Sequence, residues 1–527
     1  MGRPGGFRLW LLAFIGFWLL HAAWAFAAPY NGPPDEQRHA IRAAGVLDGQ
    51  FVAPLVDRNA TSQQQGGGVF SPIPTSDQDA SGYQTVPRSL VRPRCFPQKV
   101  EVPASCAPEP GGDETPVTVT TEAARVNPVY YLVTSWPLAI RPTWSGIMAS
   151  RLLTAAAVAA LLACALVGAS RWTRHRALVA GIVVAATPMT AHLAGAINPN
   201  GIEIAAGLAL FVALIALVHE QRDGINRAAV ALAGASAAVL VTPRFTGVMW
   251  LAVIVGVLLL PSARARLRVL AKARVVQAWA AVVVLFTLGA LAWTILARPA
   301  DPVTYDHGFS TNEILRATVV DHIWPNIANQ MVGVMGWAET LMPRLIYVIW
   351  FMAFGVLFLG GLAVGKRVDR WRLLALFVAT FAPLTLLEIA SANQIGWFNQ
   401  GRYFLPGAVG LPLFAAHILA YRGFGAERLR TATRLFATVL LPIQLACLVY
   451  TMARWDSGLA SLNPFNGSWQ PHYGVTLPIA SVLAGVVVLL AMYWRASGIP
   501  APPTNPTAEA EPAAVAEHDE RVSVSHG

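Results

Sequence analysis

The sequence predicts an all-α integral membrane protein of about twelve transmembrane helices, with a long extracytoplasmic loop after the first. Three observations carry that prediction. Of 527 residues, 55% are hydrophobic and only 13% charged, against roughly 25% charged in ordinary soluble domains. The apolar residues fall into successive runs near the ~20 residues that an α-helix needs to cross a bilayer. The basic residues crowd every second loop between those runs, the asymmetry that leaves Lys- and Arg-rich loops in the cytoplasm. The net charge of +10 therefore reflects topology and does not indicate a nucleic-acid partner.

Residues 1–28 form the first span: Arg3 and Arg8 precede the apolar run from Leu9 to Ala28 and hold the N-terminus inside. Its ending, AFAAP, resembles a signal-peptidase site. A polytopic chain needs no removable signal, and we read the helix as retained. Residues 29–146 are rich in Pro, Gly, Ser and Thr, too polar to cross and too long for a simple connection. They predict a small extracytoplasmic subdomain, with a short strand at Thr115–Thr121. Asn127–Ile140 reads as an interfacial helix whose Tyr and Trp sit at headgroup level. Cys95 and Cys106 lie in this loop and are the candidates for a disulfide in an oxidising compartment. Cys164 and Cys447 lie inside apolar runs and pack as small hydrophobes.

Residues 147–297 hold six further spans, near 147–169, 177–197, 201–218, 228–242, 245–260 and 275–297. The stretch 228–260 is interrupted by Thr242-Pro243-Arg244, and parity decides how to divide it. The loops on either side, HEQRDGINR and SARARLRVLAKAR, are both basic. An even number of crossings must separate them, so the stretch is a hairpin with Arg244 at its outer tip. A second outer loop, 298–343, precedes spans near 344–364, 371–390, 403–421, 433–452 and 475–494 within residues 344–495. The short outer loops hold little positive charge beyond Arg244, Arg298, Arg316, Arg402 and Arg454, whereas inner loops carry runs such as Arg171, Arg174 and Arg176 or Arg264, Arg266 and Arg268. Residues 496–527, rich in Pro, Ala and Glu, predict a disordered cytoplasmic tail. There is no internal repeat of the kind that marks inverted-repeat transporters.

The chemistry concentrates on the outer side, beginning with NGPPDEQRH at Asn31–His39. Pro33 and Pro34 stiffen the chain as it leaves the bilayer and suit the start of a helix. Asp35 is placed to N-cap a short helix running to about Val46 and ended by Gly45 or Gly49. Asp35 and His39, four residues apart, share a helical face, and a carboxylate beside an imidazole can accept and relay a proton. On the plainer reading Asp35 only caps the helix and Glu36 faces water. Glu203 follows the NPNG turn, Glu339 lies in GVMGWAETLMP, and Glu388 precedes QIGWFNQGRYFLP, which contains Arg402. Ionisable groups this close to hydrocarbon are candidates for function. Arg244 and Arg402 each offer a planar fork of donors that could grip a phosphate; the alternative for each is an ordinary headgroup contact.

P-loop, GxSxG, HExxH and CxxC patterns are missing from the sequence. Asp35 and Glu36 are the candidates for holding a divalent cation through oxygen ligands. No cofactor is otherwise indicated, and no cytoplasmic domain large enough to bind ATP is predicted.

Taken together and in order, NGPPDEQRH, AINPNGIE, TPRFTGVMW, GVMGWAETLMP and NQGRYFLP resemble a bacterial family of multispanning proteins catalogued as domain-of-unknown-function family 2142. The resemblance covers roughly 27–421 and leaves out the insertion between Gln50 and Thr115 and the C-terminal tail. That family in turn is similar to the C-type (GT-C) glycosyltransferases, which use lipid-phosphate-linked sugars at the outer face of the membrane. Protein mannosyltransferase-like members carry an Asp-Glu pair in the first outer loop, with the Asp as base. By that resemblance Asp35 is the base, Glu36 its neighbour and His39 a group that orients or tunes it, while Arg244 and Arg402 are candidates for the donor phosphate. The implied partners are a polyprenyl-phosphate-linked sugar, a cell-envelope glycan or lipid acceptor, and the lipids of the bacterial cytoplasmic membrane. Two other readings stay open at this point: a transporter or flippase of a lipid-linked glycan, and a non-catalytic envelope-assembly protein.

Overall fold

The computed structural model describes residues 4–54, 82–220, 224–259, 264–297 and 307–498. The tail beyond Gly498, the centre of the first-loop insertion, Arg222 and Arg298 lie outside them. From the N-terminus, α1 (Pro4–Ala27) leads through the PPD turn into α2 (Glu36–Leu47). A region between the first two spans follows, with β1 (Gly82–Pro87), β2 (Pro116–Thr121), α3 (Val129–Thr134) and α4 (Pro137–Ile140). The membrane body opens with α5 (Trp144–Trp172), α6 (Ala177–Ala185), α7 (Pro188–Ala194), α8 (Pro199–Val218), α9 (Arg227–Val241) and α10 (Phe245–Leu259). Next come α11 (Arg264–Lys272) and α12 (Arg274–Leu296). After the second long connection, with α13 (Thr311–Arg316), a π-helical stretch at Ala317–Ile327, α14 (Ala328–Gly333) and the hairpin β3 (Val334–Met335)/β4 (Thr340–Leu341), six helices finish the body. They are α15 (Arg344–Val364), α16 (Arg367–Ile395), α17 (Gly401–Ala408), α18 (Gly410–Arg422), α19 (Ala426–Ser457) and α20 (Thr476–Gly498).

Each of the twelve predicted spans has a helical counterpart. Among the described residues nine are long and apolar enough to cross a membrane, with α17 and α18 together making one of them. A tenth, at 177–197, is not the straight helix predicted. It bends by 70° between α6 and α7, because Pro188 cannot donate a helical hydrogen bond and Thr187 caps the second half through the Thr190 amide. The predicted hairpin around Arg244 is present as α9 and α10, 15 residues each; at about 1.5 Å per residue these are shorter than a ~30 Å hydrocarbon core.

Small residues set the close contacts. A Cβ on Gly485 of α20 would lie 2.8 Å from the Leu20 amide nitrogen and 3.0 Å from the Gly16 carbonyl of α1. Only glycine allows those backbones to meet, the usual means of packing membrane helices without a hydrophobic driving force. By contrast α12 buries a single residue, Ala290, and presents its apolar side chains outward.

The region between the first two spans differs from expectation in two respects. The strand at 116–121 pairs antiparallel with β1, from Gly82↔Thr121 to Pro87↔Pro116; the partner, GYQTVP, is bracketed by Gly and Pro and shows no strand signal in sequence. The single interfacial helix at 127–140 is two short helices, broken where Pro137 starts α4. Tyr130 and Tyr131 turn inward and are buried, leaving Val129, Leu132, Val133, Trp136 and Ile140 as the exposed apolar groups. Cys95 is bonded to Cys106, with Cα atoms 6.1 Å apart. The Arg454 guanidinium, at the end of α19, donates to the carbonyls of Phe96, Lys99 and Val102 at 2.8–2.9 Å, seating the disulfide loop on the bundle.

Candidate functional site

Asp35 occupies the N-cap position of α2 but does not cap it. Its backbone is left-handed, φ 61°, and its side chain makes no bond to the first turn. A capping aspartate needs extended backbone to turn its carboxylate onto the N2 or N3 amide; here that carboxylate is directed to two arginines instead. Oδ2 pairs with Arg402 and Oδ1 with Arg38 at 3.0 Å. Arg402 is buried at the first turn of α17, where Gly401 donates to Gln330 at 2.7 Å. Arg38 also pairs with Glu122 and lies 5.1 Å from the centre of the Trp337 ring. Trp337, at the tip of the β3–β4 hairpin, donates its indole N–H to the Asn31 carbonyl at 2.9 Å. The GVMGWAETLMP motif thereby closes over NGPPDEQRH. Burial pushes the Asp35 carboxyl up, but Arg402, then Arg38, outweigh it and hold the carboxyl at about 2. Asp35 is ionised and electrostatically satisfied.

Glu36 does not face water. It is fully buried, and its two oxygens accept from Arg151 Nε at 2.7 Å and from a terminal nitrogen of Arg151 at 2.5 Å. The Asn31 and Ile197 amides also donate to it, at 3.1 and 3.3 Å. The remaining donors of Arg151 bind the carbonyls of Ala25, Ala28 and Pro29 at 2.7–2.9 Å. This clasp fastens the end of α1, the PPD turn and α5 together. The adjacent acids therefore diverge into separate pairs and do not form a joint cation site. Among the described residues no group of three His, Cys, Asp or Glu side chains is placed to hold a metal.

His39 shares a hydrogen bond with the Tyr131 hydroxyl at 2.6 Å rather than with Asp35. The left-handed turn at Asp35 displaces its side chain from the face that regular helical spacing predicts. Burial, reinforced by Arg244, lowers the His39 imidazole to about 3, and burial also raises the Tyr131 phenol. The pair is neutral at ordinary pH. Arg244 is half-buried, and its guanidinium makes no hydrogen bond or ion pair with the described residues. Its charge reaches Asp35, His39 and Glu203. Glu203 is buried in the first turn of α8, with one oxygen held by Asn200 at 3.1 Å and the other without a partner among the described residues. The NPNG turn that carries them meets the first motif directly, as Asn198 donates to the Pro34 carbonyl at 2.9 Å.

The other two acids do structural work away from Asp35. Glu339 pairs with Arg454 at 3.1 Å, and burial raises its carboxyl. Glu388 accepts from the amides of Phe398 and Asn399 at 2.9 and 2.7 Å, folding the loop before Arg402 onto α16. It does not pair with Arg402. Sequence reasoning missed Arg38, Glu122, Tyr131, Arg151 and Trp337. Arg151 alone carried a readable signal: it is an arginine one turn and a half inside an apolar run, where an unpaired charge is expensive.

Comparison with known proteins gives one family and one fold likeness. Residues 17–411 match the family described as "Predicted membrane protein (DUF2142)". No curated protein matches the chain. Among solved structures it is similar to ArnT from Cupriavidus metallidurans bound to undecaprenyl phosphate, with 13% identity over 94% of this chain and 76% of that one and a TM-score of 0.42. It is also similar to ArnT from the same organism in the apo state, with 12% identity over 71% and 66% and a TM-score of 0.35. The family match takes in the Asp35 turn, the Arg151 clasp, the Arg244 hairpin, the Trp337 lid and Arg402: the chain is a multispanning membrane protein that belongs to the DUF2142 family.

Proposed function

We propose that this protein is a GT-C-type glycosyltransferase of the bacterial cytoplasmic membrane, transferring a sugar from a polyprenyl-phosphate donor to a cell-envelope acceptor at the outer face. The observation that carries the proposal is the Asp35 carboxylate, ionised and paired with the guanidiniums of Arg402 and Arg38, while that of Arg244, which also acts on it, has no partner among the described residues. Asp35 is the base that takes the proton from the acceptor hydroxyl. The acceptor oxygen bonds to the anomeric carbon as the bond from that carbon to the phosphate oxygen breaks. Attack from the face opposite the phosphate inverts the configuration, and the lipid phosphate leaves with the electron pair.

A carboxyl held at about 2 is a weak base at neutral pH. The arrangement supplies its own remedy. A phosphate that binds Arg244 and draws Arg402 toward itself removes the charge that suppresses Asp35, so donor binding strengthens the base. The same two arginines then stabilise the negative charge that grows on the leaving phosphate. Arg402→Lys tests this, because lysine keeps the charge but cannot span a carboxylate and a phosphate with one planar fork. With a radiolabelled polyprenyl-phosphate sugar and native membranes, transfer should fall at least about tenfold at full protein level. Unchanged transfer in the lysine variant would remove Arg402 from the donor site.

The proposal also requires the Asp35 side of the protein to face outward. Gly112 and Gly425 each have open space where a side chain would go, so both accept cysteine. A membrane-impermeant thiol reagent on intact cells should label Gly112→Cys and spare Gly425→Cys. The reverse pattern would place the site in the cytoplasm and end the proposal.

A further inference from the structure

Between the start of α10 and the end of α12 lies a cavity of about 270 Å³, lined by Arg125, Pro243, Arg244, Ala290, Trp293 and Thr294 among others. A single water needs only roughly 10–15 Å³, so the space is of ligand size. Its chemistry is divided. Two arginines, Arg125 and Arg244, line it, and the walls are otherwise largely apolar. Trp293 is fixed there by its N–H, which donates to the Arg125 carbonyl at 2.8 Å, while the Arg42 guanidinium lies 5.9 Å from its ring. Arg244 is half-buried, its guanidinium with no ion pair or hydrogen bond to the described residues, a state that favours taking up an anion.

The outer wall explains how such an anion arrives. Phe245, Ile295 and Leu296 beside the cavity are 56%, 74% and 65% exposed, and in a bilayer those apolar groups face lipid. An amphiphile can therefore slide in sideways with its tail still in hydrocarbon. A soluble anion would gain nothing from those walls. On the protein side, the Arg42 guanidinium that faces Trp293 belongs to α2, the helix that follows Asp35 and carries His39, so the cavity borders the candidate site, and Arg244 acts electrostatically on both residues.

We infer that this cavity is a lateral port for a membrane lipid bearing a phosphate, gripped by Arg244 and Arg125, with its tail passing over Phe245 and the last turn of α12. The inference shares with the proposed function the assignment of Arg244 to phosphate; it adds Arg125, the route and the seat. The test uses full-length protein in nanodiscs with a polyprenyl phosphate carrying a photoactivatable diazirine in its tail. Labelling should map to peptides containing 242–245 and 290–297. It should fall roughly tenfold to a hundredfold in Arg244→Gln and in Arg125→Gln, the loss expected for a charge-assisted bond. Ala290→Phe should do the same by filling the space with both arginines intact, so a folding defect in one variant does not decide the matter.

Competition identifies the source of the phosphate. Undecaprenyl phosphate displacing the probe where phosphatidylglycerol does not marks a polyprenyl port. Equal displacement by phosphatidylglycerol marks a general phospholipid seat and overturns the donor route. Labelling at those peptides without any sugar transfer would sink the glycosyltransferase and leave the port standing. Labelling elsewhere, or unaltered by all three cavity variants, would overturn the port whatever the transfer assay shows.

Discussion

Asp35→Asn should lower sugar transfer about 10²–10⁴-fold, the range expected when a positioned general base is removed. The comparison that gives this number meaning is stability. Asp35 holds its proton at about 2 against an ordinary value of 3.8, so the folded state favours the ionised form by roughly 2 kcal/mol. That contribution is complete above about pH 4 and is lost as pH falls through 2, because the unfolded chain then binds the proton first. The Asn variant should consequently unfold more easily at pH 7 by roughly that amount and lose the acid-dependent step near pH 2–4. Thermal unfolding in detergent measures the first effect, and transfer per folded molecule measures the second. An Asn variant with near-normal transfer would remove Asp35 from the chemistry.

The second large effect belongs to the neighbour. Glu36→Gln should destabilise the protein by about 3–5 kcal/mol, because it strands the Arg151 charge in the interior. Both side chains are wholly inaccessible to solvent, and Arg151 additionally holds three carbonyls of the α1 exit. Yield and melting temperature should collapse together. A double variant, Glu36→Gln with Arg151→Met, should recover part of the loss, since removing both charges is far less costly than removing one. If the single variant melted normally but failed to transfer sugar, Glu36 would be a chemical participant and the clasp reading would fall.

Hydropathy and basic-loop alternation were enough to draw the membrane body, because a bilayer imposes one length and one periodicity on every span. The bend at Thr187-Pro188 and the break at Pro137 were visible as prolines, though not as geometry, since proline in a membrane helix is tolerated or kinking according to its neighbours. The site was legible in kind but not in pairing. Asp35, Arg402 and Arg244 were each singled out in sequence, and the structure brings the three charges within electrostatic reach of one another. Nothing local could show that Asp35 pairs with a residue 367 positions away, or that Glu36 turns from its neighbour to Arg151. The left-handed backbone at Asp35 decides that divergence, and aspartate reaches that conformation without the glycine that would have advertised it.

The seat of the disulfide loop has a consequence for biosynthesis. The carbonyls of Phe96, Lys99 and Val102 wait for a guanidinium that is 352–358 residues downstream. At about 5–20 residues per second, a ribosome takes roughly 18–70 s to supply it. Throughout that interval the segment between the first two spans carries a covalent ring that can close by itself but has no surface to rest on. The ring shortens the excursions of a chain that has not yet docked. Completion of this face is thus a late event, tied to the penultimate helix, and a nascent chain halted before Arg454 leaves the disulfide loop undocked.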